Sequence, residues 1–258
     1  MNEIILGDCI EEMQKIKTAS IDHCITDPPY GMSDYDGKKE IGWLKSNSIW
    51  KEEKKFIKMD ENWDQFSNTD YDKFTREWMS EVFRIVKPNG NIIIFGTFHN
   101  IYTVGHIIKT FKKKTIGSIT WYKRNAFPNI TRRMLCESTE YLIWSVNNNV
   151  KNARNWTFNY DVLKSMNNGK QMRNVWDIPM TTKSEKQFGK HPNQKPIEVC
   201  KRLVLGMTNE DDIILDPFAG SGTIPLVAKM YGRKYVAIEK DETYAKIAKD
   251  RLNSILTI

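Results

Sequence analysis

The 258-residue chain has no apolar run of the roughly 18 residues that a membrane-spanning helix needs, so an integral helical membrane protein is excluded. Its start, Met1-Asn2-Glu3-Ile4, has an early acid and neither a basic segment nor a long apolar stretch behind it. No signal peptide is therefore expected, and the protein is expected in the cytoplasm. Cysteine is sparse: Cys9, Cys24, Cys136 and Cys200 form no C-x-x-C pair, and His23, His99, His106 and His191 do not join them at ligand spacing. No metal site is expected, and no disulfide in a reducing compartment. Internal repeats and low-complexity tracts are missing too. Apolar residues are not: 40% hydrophobic and 11% aromatic content, against 28% charged, is enough for a real core and excludes a disordered or collagen-like chain.

Acids are absent from one long stretch. The whole chain carries 39 basic and 32 acidic residues, a net +7. Between Lys109 and Arg133 stand Lys109, Lys112, Lys113, Lys114, Lys123, Arg124, Arg132 and Arg133, a local +8 with no Asp or Glu. Any one of these lysines is ordinary solvated surface. The acid-free run, interleaved with Phe111, Trp121, Tyr122 and Phe127, fits a polyanion surface better. Nucleic acid is the expected partner, with Lys123, Arg124, Arg132 and Arg133 as candidate DNA contacts.

Short apolar runs alternate with helical patterns, which predicts an α/β fold with a doubly wound, mostly parallel sheet. Strands are expected at Ile4–Leu6, Ile21–Thr26, Asn91–Phe95, Ile116–Tyr122, Glu140–Ser145, Ile213–Leu215 and Lys234–Glu239. Helices are expected after Asp8, over Tyr71–Val86, near Asn100–Phe111, over Pro196–Met207, up to Met230 and over Glu242–Leu256. Residues 31–66 show no clean period and read as a long mobile loop that closes over DNA. Residues 147–190 carry eight basic residues against three acids, with Trp156, Phe158, Tyr160, Trp176 and Phe188, and weak periodicity. They read as a small inserted recognition lobe, not sheet core. It separates a catalytic half, 1–146, from a second half of the same domain, 191–258. Trp156, Trp176 and Phe188 read as packing residues before base-stacking ones.

Two turns carry chemistry. In Ile213-Ile214-Leu215-Asp216-Pro217-Phe218-Ala219-Gly220-Ser221-Gly222-Thr223 a strand runs through a Gly-x-Gly turn into a helix. The glycines permit a tight turn and let a ligand lie against backbone N–H groups. Seventeen residues beyond Gly222 the next strand ends in Glu239, where a carboxylate suits the two hydroxyls of a ribose. A structural turn with a solvated Glu is the plainer alternative. The dinucleotide fingerprint needs a third glycine where Pro225 stands, and a P-loop needs a lysine that is missing beside Gly222-Thr223. Asp216 would repel a phosphate and attract a cationic amine, so S-adenosylmethionine, with sulfonium, α-amine and ribose, fits best.

The second turn, Asp27-Pro28-Pro29-Tyr30, follows an apolar strand. Two prolines fix the backbone and donate no hydrogen bond, so carbonyls face out. The Asp27 carboxylate and the Pro28 carbonyl would hold both hydrogens of an exocyclic amine and favour its pyramidal form, freeing the lone pair for attack on a sulfonium methyl. Tyr30 would stack on a base swung out of its helix.

These two motifs resemble the amino-methyltransferases that modify DNA with S-adenosylmethionine, with the catalytic motif first and the cofactor motif last, the order of their β group. The resemblance covers nearly the whole chain. It implies a Rossmann-like methyltransferase fold, Asp27, Pro28, Pro29 and Tyr30 as catalytic residues, and cofactor contacts from Asp27, Asp216, Phe218, Ala219, Gly220, Ser221, Gly222, Thr223 and Glu239. His191-Pro192-Asn193-Gln194-Lys195-Pro196 is similar to the group's lead into the cofactor half, which implies Lys195 near the methionine carboxylate. Gly7-Asp8-Cys9 is similar to the turn that holds the adenine ring, so Asp8 and Cys9 join the set. His191 as a turn cap, Asp8 as a helix N-cap and Phe218 as core packing are the structural alternatives. His99-Asn100-Ile101-Tyr102, Gly169-Lys170-Gln171-Met172 and Lys190-His191-Pro192 resemble the second adenine methyltransferase of GATC restriction-modification systems, the DpnA type.

Cytosine-C5 methylation is excluded on chemistry: it needs a cysteine nucleophile, typically after proline, and the four cysteines follow Asp8, His23, Leu135 and Val199. Adenine N6 and cytosine N4 both remain, with Asp27 favouring adenine by resemblance. An RNA or protein-amide methyltransferase, and a non-catalytic DNA-binding relative of the fold, are the alternatives of other classes; intact Asp27 and Asp216 speak against the last. Double-stranded DNA is the expected substrate. Single-stranded DNA and a homodimer stay open.

Overall fold

Strands and helices alternate along the chain in the order the periodicity predicts. The structure is a computed structural model; it describes residues 2–31, 68–129, 133–149 and 154–255. The stretch read as a mobile loop, 31–66, lies outside the described residues except for Gly31. The elements are β1 (Asn2–Leu6), α1 (Cys9–Gln14), β2 (His23–Thr26), α2 (Asn68–Ile85), β3 (Asn91–Gly96), α3 (Ile101–Thr110), β4 (Lys114–Tyr122), β5 (Thr139–Val146), α4 (Tyr160–Met166), β6 (Val175–Asp177), α5 (Ile197–Met207), β7 (Ile213–Asp216), α6 (Thr223–Met230), β8 (Lys234–Glu239) and α7 (Glu242–Asn253).

The eight strands form one sheet in the order β1-β8-β7-β2-β3-β5-β4-β6. Among the described strands only β5 runs against the rest: it is antiparallel to both β3 and β4, while every other pairing is parallel. Side-chain alternation divides the core in two. Ile25, Ile93, Phe95, Ile214 and Ala237 pack on one face with α5, α6 and α7. Cys24, Ile92, Ile94, Leu215 and Val236 pack on the other with α1, α2 and α3. A strand buried on both faces reads as an unbroken apolar run, which is why Ile92-Ile93-Ile94-Phe95 was legible as a strand. On α2, Tyr71, Thr75, Trp78, Met79, Val82 and Phe83 are buried at helical spacing, one stripe facing the sheet.

The doubly wound topology fixes where a ligand goes. From β7 the chain passes through α6 to β8 on one side; from β2 it passes through α2 to β3 on the other. Neighbours β7 and β2 therefore flank the switch point, where a crevice opens at the strands' carboxyl ends.

One expectation is corrected. Residues 147–190 read as a lobe and not sheet core, yet Val175–Asp177 pair with Thr120–Tyr122 of β4 as the sheet's edge strand. Trp176 is buried in the core there and its indole N–H donates to the Arg173 carbonyl. A three-residue strand is too short to show a period. α4 in the same segment rests on α5, where Leu163 closes over Gly206.

Candidate functional site

Both acid-bearing turns leave the sheet at its carboxyl edge, side by side. The last residue of β2, Thr26, donates its hydroxyl to Asp216 Oδ1 at 2.9 Å, tying the ends of β2 and β7. A cleft of about 510 Å³ opens there, a volume in the usual range for small-molecule sites. Every cofactor candidate read from the sequence lines it except Gly222.

The cofactor side is shaped from behind. Gly220 and Gly222 have φ of +51° and +74°, the left-handed region. A Cβ on Gly222 would stand 2.7 Å from the Ala248 Cβ of α7. Buried Arg251 bonds the Ser221 carbonyl at 2.6 Å and the Ser221 and Thr223 hydroxyls at 3.1 and 3.0 Å. The Glu239 carboxylate accepts the Gly220 N–H at 2.7 Å and the Asp241 N–H at 2.8 Å. Each oxygen thereby keeps a lone pair for a hydroxyl. Asp8 caps α1 by accepting the Ile10 N–H at 3.0 Å, and Lys240 reaches its other oxygen at 3.2 Å. Phe218 meets Phe74 and Trp78 edge-on and also lines the cleft, so packing and a ligand-facing position coexist. His191 does cap its turn, its Nδ1 accepting the Asn193 N–H at 3.2 Å, and its ring lies on Tyr244. Burial, with Lys195, Lys186 and Arg251 nearby, pushes it down to about 4, so it is neutral.

Gly222→Ala should destabilise the protein by about 2–4 kcal/mol, from a strained φ and a methyl–methyl clash that no rotamer relieves. Gly117→Ala, where nothing lies within 4 Å of the added carbon, is the control. Equal denaturation midpoints for the two variants would remove this account of the turn.

On the other side of Thr26 lies a cluster of charges. Asp27 Oδ2 is 2.5 Å from Lys195 Nζ, and the Tyr30 hydroxyl donates to Asp27 Oδ1 at 2.5 Å. Lys195 also donates to Tyr30 Oη at 2.9 Å and lies 3.4 Å from Glu140 Oε2. The second Glu140 oxygen faces Lys123 at 3.4 Å. Burial pushes Asp27 up; Lys195 opposes this and Glu140 adds to it. Burial lowers Lys195, but Asp27 and Glu140 outweigh it and hold the ammonium above its ordinary range. The Pro29 carbonyl accepts the Tyr71 hydroxyl at 2.9 Å, itself held by Asn100 Nδ2 at 3.0 Å. The Pro28 carbonyl accepts no hydrogen bond among the described residues, as an acceptor meant for a ligand should.

Three placements add to the sequence reading or depart from it. Lys195 lines the cleft, but at 5% exposure its ammonium is held on Asp27, its nearest counterion. Tyr30 is only 5% exposed and its hydroxyl is engaged, so its face is not presented to the cleft. The acid-free run is not one surface. Lys109, Lys112, Lys113 and Lys114 lie at the end of α3 and the start of β4, and the eight residue steps of β4 carry the chain about 25 Å away from them to the site's edge. Of the four candidate DNA contacts, Lys123 is turned inward to Glu140, with only 13% of its side chain exposed. Arg124 is exposed and paired with Asp177 at 2.8 Å, Arg133 is exposed, and Arg132 lies outside the described residues.

Glu140, Thr26, Tyr71 and Asn100 were not singled out from the sequence as site residues. Their types are ordinary, and only strand order and the reversed direction of β5 bring them here. Among the described residues no group of His, Cys, Asp and Glu could hold a metal. Burial pushes the Cys9 thiol up to about 12 and raises Cys24 and Cys200 as well, so none of the three is a ready thiolate. No described helix is long and apolar enough to cross a membrane.

Residues 21–250 match a family model described as DNA methylase. The chain is 39% identical over 252 residues to the type II methyltransferase M2.LlaDCHI of Lactococcus lactis subsp. cremoris, covering 97% of this chain and 88% of that one. It is 38% identical to M2.DpnII of Streptococcus pneumoniae, covering 98% and 91%. The crystal structure of M1.HpyAVI in complex with SAM superposes with a TM-score of 0.67 at 25% identity, covering 98% of this chain and all of that one. The cytosine-N4-specific PvuII DNA methyltransferase shares the fold, with a TM-score of 0.73 at 16% identity over 99% of this chain and 88% of that one.

Proposed function

Since this chain belongs to the DNA methylase family and is an S-adenosylmethionine-dependent DNA methyltransferase, we propose that it methylates the exocyclic N6 of adenine in a short site, GATC, as part of a restriction-modification system in the cytoplasm. One observation carries this reading: the amine-accepting turn at Asp27 and the cleft at Asp216 adjoin across a single hydrogen bond from Thr26. S-adenosylmethionine, when bound, supplies an electrophilic methyl group. Glu239 suits its ribose, Asp216 its cationic end, and the Asp8-Cys9 turn and Phe218 its adenine. Asp27 and the Pro28 carbonyl then accept the two hydrogens of the base amine, and the Asp27 charge stabilises the positive charge that develops on nitrogen. Stacking of the base on Tyr30 requires that its ring first be uncovered. Adenine rests on Asp27 in the catalytic motif, and GATC on the three segments that resemble the DpnA type; the fold itself serves cytosine N4 in the PvuII enzyme.

The test is incubation with labelled S-adenosylmethionine and unmethylated DNA, duplex and single-stranded, then digestion and identification of the product nucleoside by mass. N6-methyladenine mapped to GATC is expected. N4-methylcytosine would replace the base, and no transfer to DNA with cofactor still bound would turn the search to RNA or protein amides. DNA affinity should fall about 10³- to 10⁵-fold between 50 and 200 mM salt if about 6–10 phosphates are contacted.

Cofactor affinity should also depend on pH through Asp216, whose carboxyl burial pushes up to about 7, against hydrogen bonds from Thr26 and the Phe218 N–H. Below that pH the group is neutral in the free protein and attracts an amine poorly. The dissociation constant should therefore rise as pH falls through the neutral range, approaching about tenfold per unit. Asp216→Asn should bind weakly at every pH. A flat wild-type titration by calorimetry would dissociate Asp216 from the cationic end of the ligand.

A further inference from the structure

We propose that Glu140 is a positioning residue for methyl transfer: it retains the Lys195 ammonium so that Asp27 can leave that ion pair and accept the substrate amine. The inference rests on the methyltransferase reading and adds a residue to it. Its ground is the reversed strand. Because β5 alone runs against the sheet, its first residues stand at the carboxyl edge, with Glu140 opposite Trp121 and Tyr141 opposite Gly96. A carboxylate at the start of a strand is thereby delivered to the site between two lysines, 3.4 Å from each.

The requirement follows from burial. Lys195 is 5% exposed, so water cannot replace a lost counterion, and a buried charge without a partner is costly. In the structure its ammonium occupies Asp27, the group the amine needs. When Asp27 turns to the amine, Lys195 keeps the Tyr30 hydroxyl at 2.9 Å and the Asn193 carbonyl at 3.3 Å, both uncharged. Among the described residues Glu140 is the other carboxylate paired with Lys195. The cluster is also charge-balanced: Asp27 and Glu140 against Lys195 and Lys123. Without Glu140 it carries one net positive charge, and Asp27 becomes the sole carboxylate for two ammonium groups. The amine would then compete with Lys195 for it.

The experiment uses the full chain with duplex substrate. Glu140→Gln should lower kcat roughly 10- to 100-fold, as loss of an outer partner does elsewhere, with KM for DNA and cofactor affinity within about threefold because Glu140 stands behind Lys195 and does not line the cleft. Glu140→Asp, which keeps the charge, should recover most of kcat and covers the case in which the Gln variant folds poorly. The decisive comparison is made in a Lys195→Met background. There no ammonium claims Asp27 and Glu140 only repels it, so adding Glu140→Gln should raise kcat. A further fall of tenfold in that background would overturn the proposal. Carboxyl-carbon NMR of the cofactor-free protein gives a readout apart from turnover. The titratable groups coupled to Asp27 are Lys195, Glu140, Tyr30, Asp216 and Cys200, with Lys123 beyond Glu140. Removing the Glu140 charge should move the Asp27 titration to lower pH, and an unmoved titration counts against the proposal. If the wild type methylates DNA and Glu140→Gln matches it, this inference falls alone. If the wild type transfers no methyl group to DNA, both fall.

Discussion

Asp27→Ala is expected to lower the methylation rate by about 10³-fold, while cofactor affinity changes by no more than severalfold. The size follows from what the carboxylate does: it meets charge that develops on the attacking nitrogen, and single preorganised groups of this kind are worth about 10²–10³ in rate. Asp27→Asn should lose less, about 10²-fold, since its amide oxygen still accepts one amine hydrogen but brings no charge. The alanine variant has a second consequence. It strips Lys195 of the partner at 2.5 Å and leaves it on Glu140 at 3.4 Å, so some stability is lost. Breaking a buried pair costs about 3–5 kcal/mol, and a shift of the denaturation midpoint should accompany the alanine change far more than the asparagine one. Single-turnover rates with saturating DNA and cofactor check the first effect, and a denaturant titration the second. Turnover by Asp27→Ala within tenfold of wild type would remove Asp27 from the chemistry.

Most of this architecture was legible because the central strands are buried on both faces. Ile213-Ile214-Leu215, Asn91–Phe95 and Lys234–Glu239 read as apolar runs and stand in the sheet within a residue of the expected limits. Asp8 before a helical pattern, and two prolines or two glycines after a strand, are local signals, since the backbone conformation they demand is set by residues a few positions away. What was not legible depends on strand order. Nothing near Glu140 says that β5 runs backwards, and nothing near Lys123 says that its ammonium turns inward to meet that acid. The same holds for the acid-free run. Counted along the chain it is one basic patch; folded, α3 and β4 carry its two ends to opposite edges of the sheet. Val175–Asp177 failed for another reason: three residues on an edge strand, between Arg173-Asn174 and Ile178-Pro179, have no periodicity to read.

Lys195→Met should separate the two roles this lysine has been given, and the sign of its pH dependence is the test. With the ammonium gone, burial and the Glu140 charge both raise Asp27, and nothing opposes them except the Tyr30 hydroxyl. A larger share of the carboxyl is then protonated and cannot accept the amine hydrogens, so kcat should fall in proportion to the ionised fraction lost. It should recover as pH rises, because more Asp27 ionises, whereas wild type should be flatter over the same range. Stability should move the other way. An acid whose folded pKa is raised above its unfolded value favours the folded state while protonated. It loses that contribution as pH climbs from the unfolded value, about 3.9, through the raised one. The variant should therefore become more active and less stable over one pH window, and a single group accounts for both slopes. If Lys195 instead serves the carboxylate of the bound cofactor, the main change will be a raised dissociation constant for S-adenosylmethionine with little slope in kcat. Calorimetric binding and a kcat–pH profile on the same preparation decide between an ammonium that governs Asp27 and one that anchors the ligand.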